Sequence, residues 1–222
     1  MKFKISVQKE SEKLKLTAYF LGAMRDGSFI KNEKNFIYRV RIYQKNKEWI
    51  ENLAGIAEKL FNKKPTIVLD KRDNVWSLII NSKSIYESVI NISDYQENQI
   101  EWNTPNFILK SSFDVQREYI KGFFDSEGGV PHVEERKVEP KNIRIHFTQS
   151  NMKCLEELRM MIRKLGIKTG NVCGPYYKKG FENPIFRLKI HGTREVSKFA
   201  DIVGSYHKEK LNRLSIISKQ IQ

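Results

Sequence analysis

The chain has 222 residues, 40% of them hydrophobic, which is enough for one or two hydrophobic cores. Forty Lys and Arg against 26 Asp and Glu give a net charge of +14, spread along the whole length, and in a folded chain rich in Tyr, Phe and Trp this points to a polyanionic partner. There is no run of about 18 apolar residues and no signal-type apolar segment, so a membrane-spanning or secreted protein is excluded and an intracellular one, cytoplasmic or organellar, is expected.

Cys154 and Cys173 stand alone, without C-x-x-C spacing, and read as small core residues of a reduced protein. The four histidines (His132, His146, His191, His207) are scattered and form no metal-ligand cluster.

In chain order, residues 1–10 read as a basic, β-like arm. A helix over 12–25 is followed by strands 28–32 and 36–44 around a polar turn. The next helix is amphipathic, with Ile50, Leu53, Ala54, Ala57, Leu60 and Phe61 on one side. Pro65 opens a strand pair, 66–69 and 75–81, and Ser82 or Ser84 can cap a short helix to about residue 90. Residues 91–112 are polar and irregular, so the chain divides into halves 1–95 and 113–222 around a linker at 96–112.

Asp114 is placed to cap the second long helix. After it come a strand near 130–134, a long loop, a strand at 142–149 and an amphipathic helix at 151–165 stopped by Gly166. Strands near 170–177 and 185–191, a helix 194–203 and a last helix from about Lys208 complete the chain. The order αββαββα occurs twice, which marks an internal duplication. Local echoes support it. Gln44-Lys45-Asn46 and Gln149-Ser150-Asn151 each end a strand and open an amphipathic helix.

Two segments organise the halves. The first runs from Ala18 through Gly22 to Asp26-Gly27, the second from Ile120 through Gly122 and Ser126 to Glu127-Gly128. Small residues four apart share a helix face and let a second helix approach closely. A carboxylate at a helix C-terminus opposes the helix dipole, so each acid is unfavourable there unless a cation offsets it. The pair resembles the LAGLIDADG homing endonucleases in their single-chain form with two motifs. In the second copy Gly122 stands five residues before Glu127. The first departs from this, with Gly22 four residues before Asp26 and with Leu21 and Arg25 where the family prefers small residues.

The resemblance implies an α+β fold of two pseudo-symmetric αββαββα halves. Each would carry a four-stranded antiparallel sheet, the two sheets would form a DNA-binding saddle, and the motif helices would pack at its centre. Strand alternation agrees with this. Val40, Ile42, Ile143, Ile145 and Phe147 point inward, as do Phe186, Leu188 and Ile190. Arg39, Arg41, Tyr43, Asn142, Arg144, His146, Thr148, Arg187, Lys189 and His191 then face out, with group types that reach base edges in a major groove. Lys71, in a hairpin turn with Lys31, Lys34, Lys178 and Lys179, suits phosphate contacts.

Packed helix against helix, Asp26 and Glu127 would meet at the floor of the saddle, where like charges repel and a divalent metal removes the penalty. Mg²⁺ or Mn²⁺ is the expected cofactor, and Ca²⁺ an ion that binds without supporting cleavage. The family also places an amide and a lysine around such a centre. Gln44 and Gln149 match the amides, and Lys208, Lys210 or Lys110 could supply the lysine.

The expected function is site-specific, metal-dependent double-strand cleavage of DNA by a monomer at a long asymmetric target. The alternative is a non-cleaving relative, an intron RNA maturase or a transcription factor, with RNA as the maturase's ligand. An intein is disfavoured, because the chain lacks a splicing-type Cys or Ser start and a His-Asn end.

Overall fold

The structure is a computed structural model that describes residues 2–95, 98–131, 143–177 and 183–219, with side chains from Gln8 onward. The chain opens with α1 (Lys2–Ala23), which tightens into one 3₁₀ turn at Met24–Asp26. β1 (Gly27–Asn32) and β2 (Ile37–Gln44) form a hairpin, α2 (Lys47–Phe61) packs on it, and β3 (Thr66–Asp70) and β4 (Val75–Asn81) add a second hairpin. α3 (Lys83–Ser93) closes the first half. A 3₁₀ turn at Gln99–Glu101 and the short α4 (Asn106–Lys110) lead into α5 (Phe113–Glu127).

The second half repeats the plan with β5 (Gly128–Gly129), β6 (Arg144–Gln149), α6 (Met152–Lys164), β7 (Cys173–Tyr176), β8 (Ile185–His191), α7 (Thr193–Ile202) and a terminal helix α8 (Lys208–Lys219). Both sheets are four-stranded and antiparallel with matching order, β1-β2-β4-β3 and β5-β6-β8-β7. The fold is the α+β duplication expected from the sequence.

The repeated Gln-x-Asn has a local cause. Asn46 Oδ1 accepts from Trp49 N (2.8 Å) and Asn151 Oδ1 from Cys154 N (3.0 Å), so each asparagine is an N-cap. Each glutamine, two residues earlier, ends its strand beside the central helices. The inward strand residues Val40, Ile42, Ile145, Phe147, Leu188 and Ile190 are fully buried beneath the helices. That burial fixes which face of each sheet is left to solvent, because a slip of one residue would exchange the faces.

α1 and α5 make the most extensive helix contact in the molecule. A Cβ on Gly22 would overlap Tyr119 O and press on Phe123 N at 2.7 Å. A Cβ on Gly122 would overlap Tyr19 O and press on Ala23 N at 2.9 Å. The backbones therefore touch at two reciprocal glycines. Around the crossing both helices are buried on every side, Ala18–Arg25 in one and Glu118–Ser126 in the other.

Several expectations are corrected. The N-terminal arm is part of α1, since neither Gly nor Pro interrupts the first 21 residues. Asp114 does not cap α5. Ser112 holds the cap position, and Asp114 lies in the first turn, where it suits the dipole and pairs with Lys15 (3.0 Å) and Arg117 (3.3 Å). The strand placed near 130–134 is reduced to Gly128–Gly129 among the described residues; 132–142 lie outside them. The irregular stretch 91–112 contains the end of α3, a 3₁₀ turn and α4, and it buries Tyr95, Trp102 and Ile108.

One substitution type separates the crossing from ordinary helix surface. Gly22→Ala or Gly122→Ala is expected to destabilise the protein by about 1–3 kcal/mol through overpacking. Gly55→Ala, in α2 with nothing within 4 Å of the new methyl, is expected to stabilise it by up to about 1 kcal/mol. Urea unfolding of the three variants measures both signs, and equal effects at all three sites would contradict the crossing.

Candidate active site between the paired helix ends

The crossing glycines set how far each acid lies from the contact point. One α step and three 3₁₀ steps lead from Gly22 to Asp26, and five α steps lead from Gly122 to Glu127. Both climbs come to about 7.5 Å, because 3₁₀ backbone rises about 2.0 Å per residue and α backbone about 1.5 Å. The 3₁₀ turn thus absorbs the residue missing from the first motif.

Each acid meets the glutamine of its own half. Gln44 Nε2 donates to Asp26 Oδ2 (3.1 Å) and to Ser126 O at the end of α5 (3.3 Å). Gln149 hydrogen-bonds Glu127. Lys210 Nζ donates to Phe124 O and Asp125 O, both at 2.8 Å, so it binds carbonyls in the last turn of α5 while facing the acids.

Burial raises the Asp26 carboxyl to about 7 against the pull of Lys210. Burial and the nearby Asp26 charge raise Glu127 to about 8, opposed by Lys210, Gln149 and Arg25. Burial depresses Lys210 to about 8 although Asp125, Glu127 and Asp26 all favour its charge. A proton shared among these three groups costs little to move near neutral pH.

Of the three candidate lysines, Lys210 is the one brought to the acids. Lys208 pairs with Glu48 at the surface (3.2 Å), and Lys110 is exposed at the end of α4. Among the described residues no group of three or more His, Cys, Asp or Glu converges. The donors at the helix ends are two carboxylates with amide and carbonyl oxygens. That set fits a hard divalent cation which keeps waters and takes further oxygens from a phosphodiester.

Arg25, at a position the family keeps small, is completely buried. Its Nη1 donates to Trp102 O (2.7 Å) and its Nη2 to Tyr119 Oη (2.9 Å), and the guanidinium lies over the Tyr95 and Phe123 rings at 5.4 and 5.2 Å. It makes no ion pair among the described residues, and its charge acts on Glu127. Gln99 Nε2 donates to Arg25 O (2.5 Å), and Asn151 Nδ2 shares the Trp102 carbonyl (3.0 Å). The segment between the halves is therefore tied to the turn that carries Asp26. The sequence marked Arg25 only as a departure and gave no sign of Gln99 or Trp102, which carry no periodicity.

On the outer sheet faces, cross-strand register aligns Arg144 with His191, His146 with Lys189 and Thr148 with Arg187. Gly129 leaves room for the His146 ring, which burial and the surrounding Arg144, Arg187, Lys189 and Lys210 keep below its ordinary proton affinity. In the first half Arg39 Nε is held by Asn81 Oδ1 (2.9 Å), and Arg41 by Ser77 Oγ (3.1 and 2.8 Å) and the Tyr43 ring (5.0 Å). Asn81 and Ser77 were missed, although strand alternation in 75–81 places them outward. Lys71 is exposed in the β3–β4 turn; Asn142, Lys178 and Lys179 lie outside the described residues.

Two helix-ending acids beneath two outward sheet faces are the arrangement that the doubled motif implies. The chain is similar to the LAGLIDADG homing endonucleases in their single-chain, two-motif form. The family model for a LAGLIDADG-like domain matches residues 114–204. Homing endonuclease I-ApeI of Aeropyrum pernix is 27% identical over 203 residues, 88% of this chain and 85% of its own length. The crystal structure of I-DmoI in complex with DNA and Mn superposes with a TM-score of 0.64 at 23% identity, over 88% of this chain and 99% of that one. The homing endonuclease I-WcaI bound to its DNA recognition sequence has the same fold, with a TM-score of 0.57 at 16% identity over 89% of this chain and 86% of that one.

The raised acids predict an unusual pH dependence of stability in EDTA. Asp26 and Glu127 hold protons in the folded state that the unfolded chain gives up near pH 4. Their contribution is full below about pH 4 and is lost as pH rises toward 7 and 8. Asp26→Asn and Glu127→Gln should therefore stabilise the metal-free protein at pH 7.5 by on the order of 3–4 kcal/mol, with little effect at pH 4. Urea unfolding at the two pH values checks this, and parallel pH profiles for wild type and variants would refute it.

Proposed function

We propose that the chain is a metal-dependent, site-specific double-strand DNA endonuclease, monomeric and directed to a long asymmetric target. The observation that carries this reading is the doubled arrangement of acid and amide. Asp26 is hydrogen-bonded by Gln44 and Glu127 by Gln149, and each acid ends the helix that carries a crossing glycine. The one-residue shift of the first motif, the one feature that leaves a non-cleaving scaffold open, is offset by the 3₁₀ turn at Met24–Asp26.

Mg²⁺ or Mn²⁺ is the proposed cofactor, with Ca²⁺ binding without supporting cleavage; I-DmoI has been solved with DNA and Mn and with DNA and Ca. Held by Asp26 and Glu127, such an ion would stabilise the attacking and leaving oxygens of a phosphodiester. Around it the protein's own groups have separate tasks. Gln44 and Gln149 fix the carboxylates and can orient a water. Lys210 spends two of its three N–H groups on α5 carbonyls and keeps one for charge developing on the phosphate.

Residues 1–95 and 113–222, joined by 96–112, would each read half of the target. In the first half the held guanidiniums of Arg39 and Arg41 suit guanine edges, and in the second Arg144, His146, Thr148, Arg187, Lys189 and His191 offer both base and phosphate contacts. Lys71 would position the duplex through phosphate. No helix among the described residues is long and apolar enough to cross a membrane.

A randomised duplex library incubated with protein and Mg²⁺ tests the reading. Wild type is expected to give double-strand cuts at a discrete sequence. Asp26→Asn and Glu127→Gln should each lower the rate by on the order of 10²–10³-fold or more, the scale for removing a group that stabilises transition-state charge. Salt-sensitive binding without cleavage in either Mg²⁺ or Mn²⁺ would overturn it.

A further inference from the structure

One buried carboxylate beside the site takes no part in the chemistry described. Asp125, two residues before Glu127, is completely buried. Its oxygens accept from Tyr19 Oη (2.7 Å), from the Tyr206 N–H (2.8 Å) and from Ser205 Oγ. Tyr19 Oη in turn accepts from Trp49 Nε1 (2.9 Å), and the Tyr19 and Tyr206 rings pack with centroids 4.9 Å apart. Ser205 Oγ also accepts from the His207 N–H (3.0 Å), and the His207 ring stacks on Trp49. Three elements, α1, α2 and α5, thus grip residues 205–207. α8 starts at the next residue and brings Lys210 to the end of α5.

We propose that Asp125 is a positioning residue: by docking the 205–207 segment against both halves, it sets Lys210 beside the acid pair. The place is built around acceptors. Oδ2 faces a phenol already accepting from Trp49 and a backbone N–H, so both neighbours must donate, and hydrogen bonds to a charged acceptor are the strong ones. The catalytic consequence rests on the nuclease reading, whereas the docking does not.

Competitive acetylation by acetic anhydride, read by mass spectrometry on the full chain without DNA, tests the docking. Lys208, with 67% of its side chain exposed, is the internal reference. Labelling of Lys210 relative to Lys208 is expected to rise about tenfold in Ser205→Ala, the factor carried by one lost hydrogen bond to a charged group, and further in Asp125→Asn. An unchanged ratio in folded Asp125→Asn overturns the proposal. Should that variant fail to fold, an unchanged ratio in Ser205→Ala does the same.

On duplexes that the wild type cuts, Asp125→Asn should lower kcat with the Kd for DNA unchanged. It should add nothing to the loss in Lys210→Met, and additive losses would overturn the positioning role. A wild-type protein that cuts no duplex removes the nuclease reading and leaves the acetylation ratio to decide the docking.

Discussion

Everything in this molecule that bears on function is referred to one contact, the backbone-to-backbone approach of α1 and α5 at Gly22 and Gly122. Any side chain there would strike a carbonyl of the opposing helix. Close approach removes the slack that larger residues would leave, so the two helix ends are fixed relative to each other within the packing of the core. The sheets inherit that relation, because each follows its helix within one residue of the acid, at Gly27 and at Gly128. The distance between the acids and the alignment of the two outer faces are therefore set by the same pair of glycines.

The contact creates an electrostatic problem as well as a geometry. Two carboxylates are brought together where two helix dipoles both present their negative ends. The protein meets this with groups of three kinds. Lys210 binds carbonyls of α5, the glutamines satisfy carboxylate oxygens, and Arg25 supplies buried positive charge behind Glu127. Burial outweighs these groups and keeps the proton affinities of both acids raised, with the Asp26 charge adding to the effect at Glu127. A site in that condition gains most from a further cation. Its residual instability and its capacity to take a metal have one cause.

Much of this was legible in the sequence because it depends on periodicity. Alternation in 39–43 and 143–148 gave the buried and exposed faces, and the doubled acid-glycine endings gave Asp26 and Glu127. What stayed hidden depends on contacts between distant segments. Trp102 lies among polar residues, and nothing local says that its carbonyl is shared by Arg25 and Asn151. Choosing among Lys110, Lys208 and Lys210 required knowing where 205–207 docks. The 3₁₀ turn at Met24–Asp26 was hidden for a different reason. A spacing one residue short reads as a displaced acid until the greater rise of 3₁₀ backbone restores the height.

The halves also differ in a way that the duplication itself explains. Tyr19 and Tyr119 each stand three residues before a crossing glycine, and Arg25 and Asp125 three residues after one. Across the helix pair, Tyr19 Oη donates to Asp125 and Tyr119 Oη accepts from Arg25. Equivalent positions thus carry opposite charges joined to equivalent phenols, whose hydroxyls can donate or accept. Each charge recruits a different third segment. Arg25 draws in the stretch around Trp102, and Asp125 draws in the stretch from Ser205 to His207. With the charge reversed, one half anchors the connection between halves and the other anchors the lysine-bearing helix, so a site symmetric in its acids and amides acquires one lysine on one side.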